Sequence, residues 1–142
     1  MDVNKKGLIT ELEIITLVSK LGVSVSLPFG SKNRYDQIWD INGNLYRIQI
    51  KTARWKDKNK NGIIFNCYTV INGKKCYYKK KDIDFFATFW ENKCYLIPVE
   101  ECASEKTLWF RLSPHNFSKC AIAENFDIER LIGRNTQVGE GD

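Results

Sequence analysis

The sequence predicts an α/β (α+β) chain: a mixed central β-sheet flanked by helices, with an extended β-hairpin. Three observations predict it. An amphipathic helical pattern opens the chain over residues 5–21. Short runs rich in β-branched and aromatic residues follow, too short and too closely spaced for helices. Two of the three Asn-Gly dipeptides, Asn42-Gly43 and Asn72-Gly73, each sit between such runs, where a two-residue hairpin turn needs them.

In the opening helix Leu8, Leu12, Ile15 and Val18 recur at helical spacing and define an apolar face. At about 100° per residue Glu11 falls between Ile15 and Val18, inside that face, while Glu13 falls on the solvent side. A carboxylate on a buried face is costly unless it is paired or holds a metal. Gly22 is a helix stop, and Val23 to Leu27 is a short strand broken by Pro28-Phe29-Gly30. Residues 63–70 and 76–79 are strands around the second turn, with Lys74 and Lys75 at its tip. Residues 84–90 and 93–99 form a strand pair turning at Glu91-Asn92. A further strand is expected over 108–112 and a helix over 123–132, with 133–142 fraying as a tail.

With 142 residues the chain is expected to be one domain, 1–142, large enough to bury a core. Its net charge of +5, from 22 basic and 17 acidic residues, permits a polyanionic partner without requiring one. Five cysteines, none in a Cys-x-x-Cys pair, read as free thiols in a reducing, cytoplasmic setting. His115 is the only histidine, which excludes zinc sites built on several and leaves carboxylates and lysine as the catalytic groups. The sequence shows neither a signal peptide nor an apolar run of about 18 residues, so a soluble intracellular protein without a membrane partner is expected.

The informative stretch is Arg34 to Arg54, RYDQIWDINGNLYRIQIKTAR. A two-residue turn at Asn42-Gly43 sets Ile41 opposite Asn44, Asp40 opposite Leu45, Ile38 opposite Arg47 and Asp36 opposite Gln49. Opposed residues share a face, with Cβ atoms about 5 Å apart. Alternation adds Lys51 to that face and sends Ile48 and Ile50 into a core. A carboxylate, an amide oxygen and an ammonium group then converge beside one strand, a fit cradle for a divalent metal, a phosphate and a water.

Asp36 followed by Gln49-Ile50-Lys51 resembles the PD-(D/E)XK nuclease motif, with Tyr35 where the family often has proline and Gln49 where it usually has an acid. Glu11 on the upstream helix, the hairpin spacing and the run Gln-Ile-Lys-Thr-Ala-Arg-Trp over 49–55 sharpen this. Together they resemble the group I intron-associated PD-(D/E)XK homing endonucleases, over about residues 5–100. The resemblance implies a restriction-endonuclease-like core and Mg²⁺-dependent cleavage of both strands of a long duplex target. It implies one or two Mg²⁺ per site, held by Asp36, Gln49, the Ile50 backbone carbonyl and Glu11, with Lys51 acting on water or developing charge. It also implies double-stranded DNA as partner and a homo-oligomer, at least a dimer or a dimer of dimers.

Gln49 offers the metal a neutral oxygen, so weak binding is expected until the DNA phosphate completes the site. Lys32, Asn33 and Arg34, just before Asp36, are candidate phosphate contacts, as are Arg54, Lys56, Lys58 and Lys60 beyond Lys51. The hairpin bearing Lys74 and Lys75 is the candidate for base readout, since a two-stranded ribbon fits a major groove. Competing readings are a four-way-junction resolvase, a restriction-type enzyme, a non-catalytic DNA-binding module and a structural α+β domain. The Gln49 position and the 49–55 run count against the resolvase.

Overall fold

The computed structural model describes residues 2–30, 32–110 and 121–132. The chain runs α1 (Val3–Lys20), β1 (Ser24–Ser26), β2 (Gln37–Ile41), β3 (Asn44–Ile50), β4 (Arg54–Trp55), β5 (Gly62–Asn66), β6 (Tyr68–Ile71), β7 (Lys74–Tyr77), β8 (Phe85–Trp90), β9 (Lys93–Pro98) and β10 (Glu105–Trp109). A 3-10 turn covers Ala123–Phe126, and residues 128–132 are helical.

Local chemistry sets the element ends. Asp2 caps α1 by accepting the Lys5 N–H at 2.8 Å, so the helix begins two residues before the predicted start. Asn42 and Gly43 hold φ of 54° and 87°, and Asn72 and Gly73 hold 51° and 77°. Both pairs thus form the positive-φ turn that fits the twist of flanking strands.

The central sheet has the order β1-β2-β3-β8-β9. All neighbours are antiparallel except β3 and β8, so the sheet is mixed, as expected. A second sheet, β10-β5-β4, and the isolated β6–β7 ribbon complete the fold. Strand alternation divides the central sheet into two apolar faces. Ile48, Ile50, Trp39, Ala87 and Leu96 pack with Ile14 and Val18 of α1. Phe86, Tyr95 and Ile97 pack on the other face with Ile63, Phe65 and Leu108 of the second sheet. Among the described residues no helix is long and apolar enough to cross a membrane.

Four expectations are corrected. The buried face of α1 is Ile14 and Val18, while Leu8 and Leu12 stay 55% and 53% exposed. Leu17 and Leu21 join the core in their place, which turns Glu11 from the middle of the face to its border. The strand expected over 63–70 divides at Cys67, whose N–H donates to the Ser104 carbonyl, and β6 leaves to form the ribbon. The last strand lies at Glu105–Trp109, earlier than expected, pairing along β5, and residues 111–112 are outside the described residues. The helix expected over 123–132 is interrupted at Asp127, which bridges to Tyr95 and accepts the Lys93 ammonium at 3.0 Å. The expected tail 133–142, His115 and Ser31 are also outside the described residues.

Gly62 on β5 leaves no room for a side chain against β10. A Cβ there would lie 2.9 Å from the Leu108 carbonyl oxygen and 3.0 Å from the Trp109 ring. Gly62→Ala is therefore expected to destabilise the fold by about 1–3 kcal/mol, the usual cost of overpacking, measured by urea denaturation. An unchanged midpoint would mean that the strands part without cost.

Candidate active site

The hairpin register follows the sequence reading through Gln37, which pairs with Ile48. Asp36 then departs from it. Its N–H donates to the Ile48 carbonyl at 2.8 Å, and its carboxylate accepts the Ile50 N–H at 2.9 Å. The predicted Asp36–Gln49 pair is therefore absent. The reason is local: the aspartate side chain takes the acceptor place of a backbone carbonyl at the end of β2. The carboxylate thus lies at the end of the sheet, where groups from both faces can approach it. Within a strand the N–H and C=O of one residue point to the same side, so the Ile50 carbonyl faces the Asp36 side too.

Glu11 approaches from the α1 face and lines a pocket with Gly7, Leu8, Ile50 and Thr52. Burial first, and then the charge of Asp36, raise the Glu11 carboxyl above its ordinary range. The Asp36 carboxyl is also raised by burial, against the lowering effects of the Ile50 N–H and the Lys51 charge. Gln49, half-buried, alternates with Ile48 and Ile50 and so belongs to the opposite face from α1. Lys51 follows β3 directly; its N–H donates to the Ala87 carbonyl, and its ammonium donates to the Tyr68 carbonyl at 2.8 Å. Burial lowers the Lys51 ammonium, the Asp36 charge draws it back up, and Arg34 adds a further lowering.

Asp36, the Glu11 carboxyl that its charge raises and the Ile50 carbonyl offer oxygen donors only. Such a set suits a hard divalent cation and not a thiophilic one. Among the described residues no three His, Cys, Asp or Glu side chains gather into a metal-holding group. The donor set thus fits a metal that takes further oxygens from elsewhere.

The expected phosphate contacts divide into two groups. Lys32 and Asn33 are exposed just before Asp36. Lys56, Lys58 and Lys60 are exposed on the β4–β5 connection, with the Lys60 ammonium 5.8 Å from the Trp55 ring centre. Lys74 is exposed beside the ribbon turn, and the Lys75 ammonium lies 4.6 Å over Tyr68. Arg34 and Arg54 are engaged within the protein instead. Arg34 donates to the Tyr77 and Cys76 carbonyls at 3.0 and 3.2 Å and to Asp82 at 3.2 Å. Arg54 pairs with Glu105 at 3.3 Å and reaches Asn66. The sequence reading missed Tyr68 and Tyr78 beside Lys51. Neither spacing nor charge marks them; only the path of the ribbon brings them there.

These features define a class before they define a reaction. The chain belongs to the PD-(D/E)XK endonuclease family, whose model matches residues 1–128. It is a nuclease by family, and the fold expected from the sequence is the fold found. Among solved structures it is similar to a bacterial homing endonuclease, I-Ssp6803I, with a TM-score of 0.73 and 19% identity, over 100% of this chain and 99% of that one. At that identity the likeness is one of fold. Comparison with the curated proteins gives no match.

Proposed function

We propose that this protein is a divalent-metal-dependent, site-specific DNA endonuclease of the homing type, encoded with an intron and cutting both strands of a long duplex target. The observation that carries the reading is the approach of Glu11 and Asp36 to each other at the open end of the β2–β3 hairpin, with Lys51 within charge range of Asp36. The homing function of the structural neighbour supports the choice of substrate within the family.

Asp36 and Glu11 would hold Mg²⁺ with the Gln49 side-chain oxygen and the Ile50 carbonyl. When bound, a divalent ion neutralises charge on the scissile phosphate and makes a water a better nucleophile near neutral pH. Asp36 is kept in place by the Ile50 N–H, so its carboxylate needs little reorganisation to act. Lys51 places a positive charge where negative charge develops on the phosphate, or orients the attacking water. Gln49 supplies no charge, so the protein alone binds metal weakly, and the DNA phosphate completes the site. Lys32, Asn33, Lys56, Lys58 and Lys60, all exposed, would take phosphates, and the ribbon with Lys74 and Lys75 would enter a groove.

One site per chain cuts one strand, so cleavage of a duplex requires at least a dimer, or a dimer of dimers. The exposed Leu8 and Leu12 on α1 support an apolar contact with a second copy. The test compares a linear duplex library of the source genome with an immobile four-way junction in Mg²⁺, with sedimentation of the protein on DNA. Breaks at one or a few duplex sites by an oligomer are expected. Paired nicks in the junction alone, or a monomer on cut DNA, would contradict the reading.

Gln49→Glu is expected to retain cleavage and to lower the Mg²⁺ concentration needed for half-maximal rate by about tenfold, because it adds a charged ligand. A Mg²⁺ titration of the cleavage rate measures this. An unchanged requirement would remove Gln49 from the metal.

A further inference from the structure

The β6–β7 ribbon is fastened to the active site at its root, from both strands. On the β6 side Lys51 donates to the Tyr68 carbonyl at 2.8 Å. On the β7 side Arg34 donates to the carbonyls of Cys76 and Tyr77 at 3.2 and 3.0 Å. Tyr68 and Tyr77 are themselves paired across the ribbon. Both cations sit at one ring, that of Tyr78. The Arg34 guanidinium sits 4.0 Å from its centre and the Lys51 ammonium 5.2 Å. Phe86 meets the same ring edge-on at 5.4 Å. Phe86 in turn pairs with Gln49 across β3 and β8.

Two cations at a ring would repel one another in the open. The negative face of an aromatic ring offsets this and fixes where each can sit. Arg34 has further support from Asp82. Lys51 has the Tyr68 carbonyl and the Asp36 charge. The ring thus contacts both Arg34, which fastens the ribbon, and Lys51.

We propose that Tyr78 is a positioning residue: its ring, in contact with both Arg34 and Lys51, transmits the seating of the β6–β7 ribbon on DNA to the place of the Lys51 ammonium at the scissile phosphate. This rests on the nuclease reading above. A consequence is that target discrimination is expressed in the cleavage step as well as in binding. A ribbon displaced by a wrong base moves the Tyr68 carbonyl and the Tyr78 ring together. Lys51 loses its placement though the DNA remains bound. A misplacement of about 1 Å at a reacting group costs about 10²-fold in rate.

The test uses the full chain and a short duplex carrying a site that the wild type cuts. Tyr78→Leu is expected to lower the single-turnover rate at saturating protein by about 10²-fold while leaving DNA affinity within a factor of a few. Tyr78→Phe, which keeps the ring, is expected to cut near the wild-type rate. Tyr78→Met keeps the bulk without the ring face and guards against a folding failure; the same rate loss is expected. Amide exchange of residues 68–77 should quicken in Tyr78→Leu, with that of β3 and β8 unchanged. Wild-type cleavage by Tyr78→Leu, equal losses of rate and affinity, or failure of Tyr78→Phe to restore the rate would each overturn the inference. No metal-dependent cleavage by the wild type would overturn the nuclease reading instead.

Discussion

Lys51→Ala should lose nearly all cleavage, with the single-turnover rate falling by about 10³-fold or more and duplex affinity changing by less than about tenfold. The disparity follows from where the ammonium sits. It is beside Asp36 and anchored on the Tyr68 carbonyl, and half-buried where the lysines expected to carry most of the phosphate contacts are exposed. Burial lowers its proton affinity, but Asp36 opposes this. In the proposed mechanism its positive charge would act on the scissile group and contribute little to holding the rest of the duplex. Rapid-quench cleavage at saturating protein separates the two effects. A variant that binds less and cuts as before once bound would place Lys51 among the phosphate contacts instead.

Asp36→Asn should be comparably inactive and, without metal, more stable than the wild type. The sign follows from the raised carboxyls of Asp36 and Glu11. In the unfolded chain both ionise in the ordinary range, near pH 4. In the fold burial raises both, and Glu11 also feels the Asp36 charge. Ionisation is therefore less favourable in the folded state, and this contribution to stability is lost as pH rises through the folded values. Removing one charge at neutral pH relieves the cost, so the melting temperature in EDTA should rise by a few degrees. The gain should vanish below about pH 4, where both acids are protonated in either state. Mg²⁺ should stabilise the wild type by mass action and leave Asp36→Asn unmoved. An Asp36→Asn protein less stable than wild type in EDTA at neutral pH would mean that the bond to the Ile50 N–H outweighs the repulsion.

Much of this site was legible because short-range rules govern it. Asn42-Gly43 determined a turn, the turn determined a register, and the register brought residue 36 near residues 49–51. Helical periodicity placed Glu11 on the sheet side of α1. What the periodicity missed was the rotation of α1, because Leu17 and Leu21 compete with Leu8 and Leu12 for one core and only the packed sheet decides between them. The Asp36 carboxylate was misplaced for a similar reason. Strand alternation describes a regular ladder, and a side chain that captures a backbone N–H ends the ladder one residue early.

Contacts far apart in sequence were not legible at all. Arg34 reads as a phosphate hand in a basic loop, yet its guanidinium is taken up by carbonyls 42 and 43 residues away. Cys67 reads as the middle of a strand, yet the chain there divides between two sheets. Nothing in the run Cys76-Tyr77-Tyr78 announces a ring beside Lys51. Such placements arise only when the ribbon folds back over the end of β3.

The most direct measurement is a cleavage assay on the source genome's duplex library, with wild type, Lys51→Ala and Asp36→Asn, each in Mg²⁺ and in EDTA. Double-strand breaks at one or a few sites, made only by the wild type and only with Mg²⁺, are the predicted result. Breaks by either variant, or by the wild type in EDTA, would contradict a metal-dependent site built on Asp36 and Lys51.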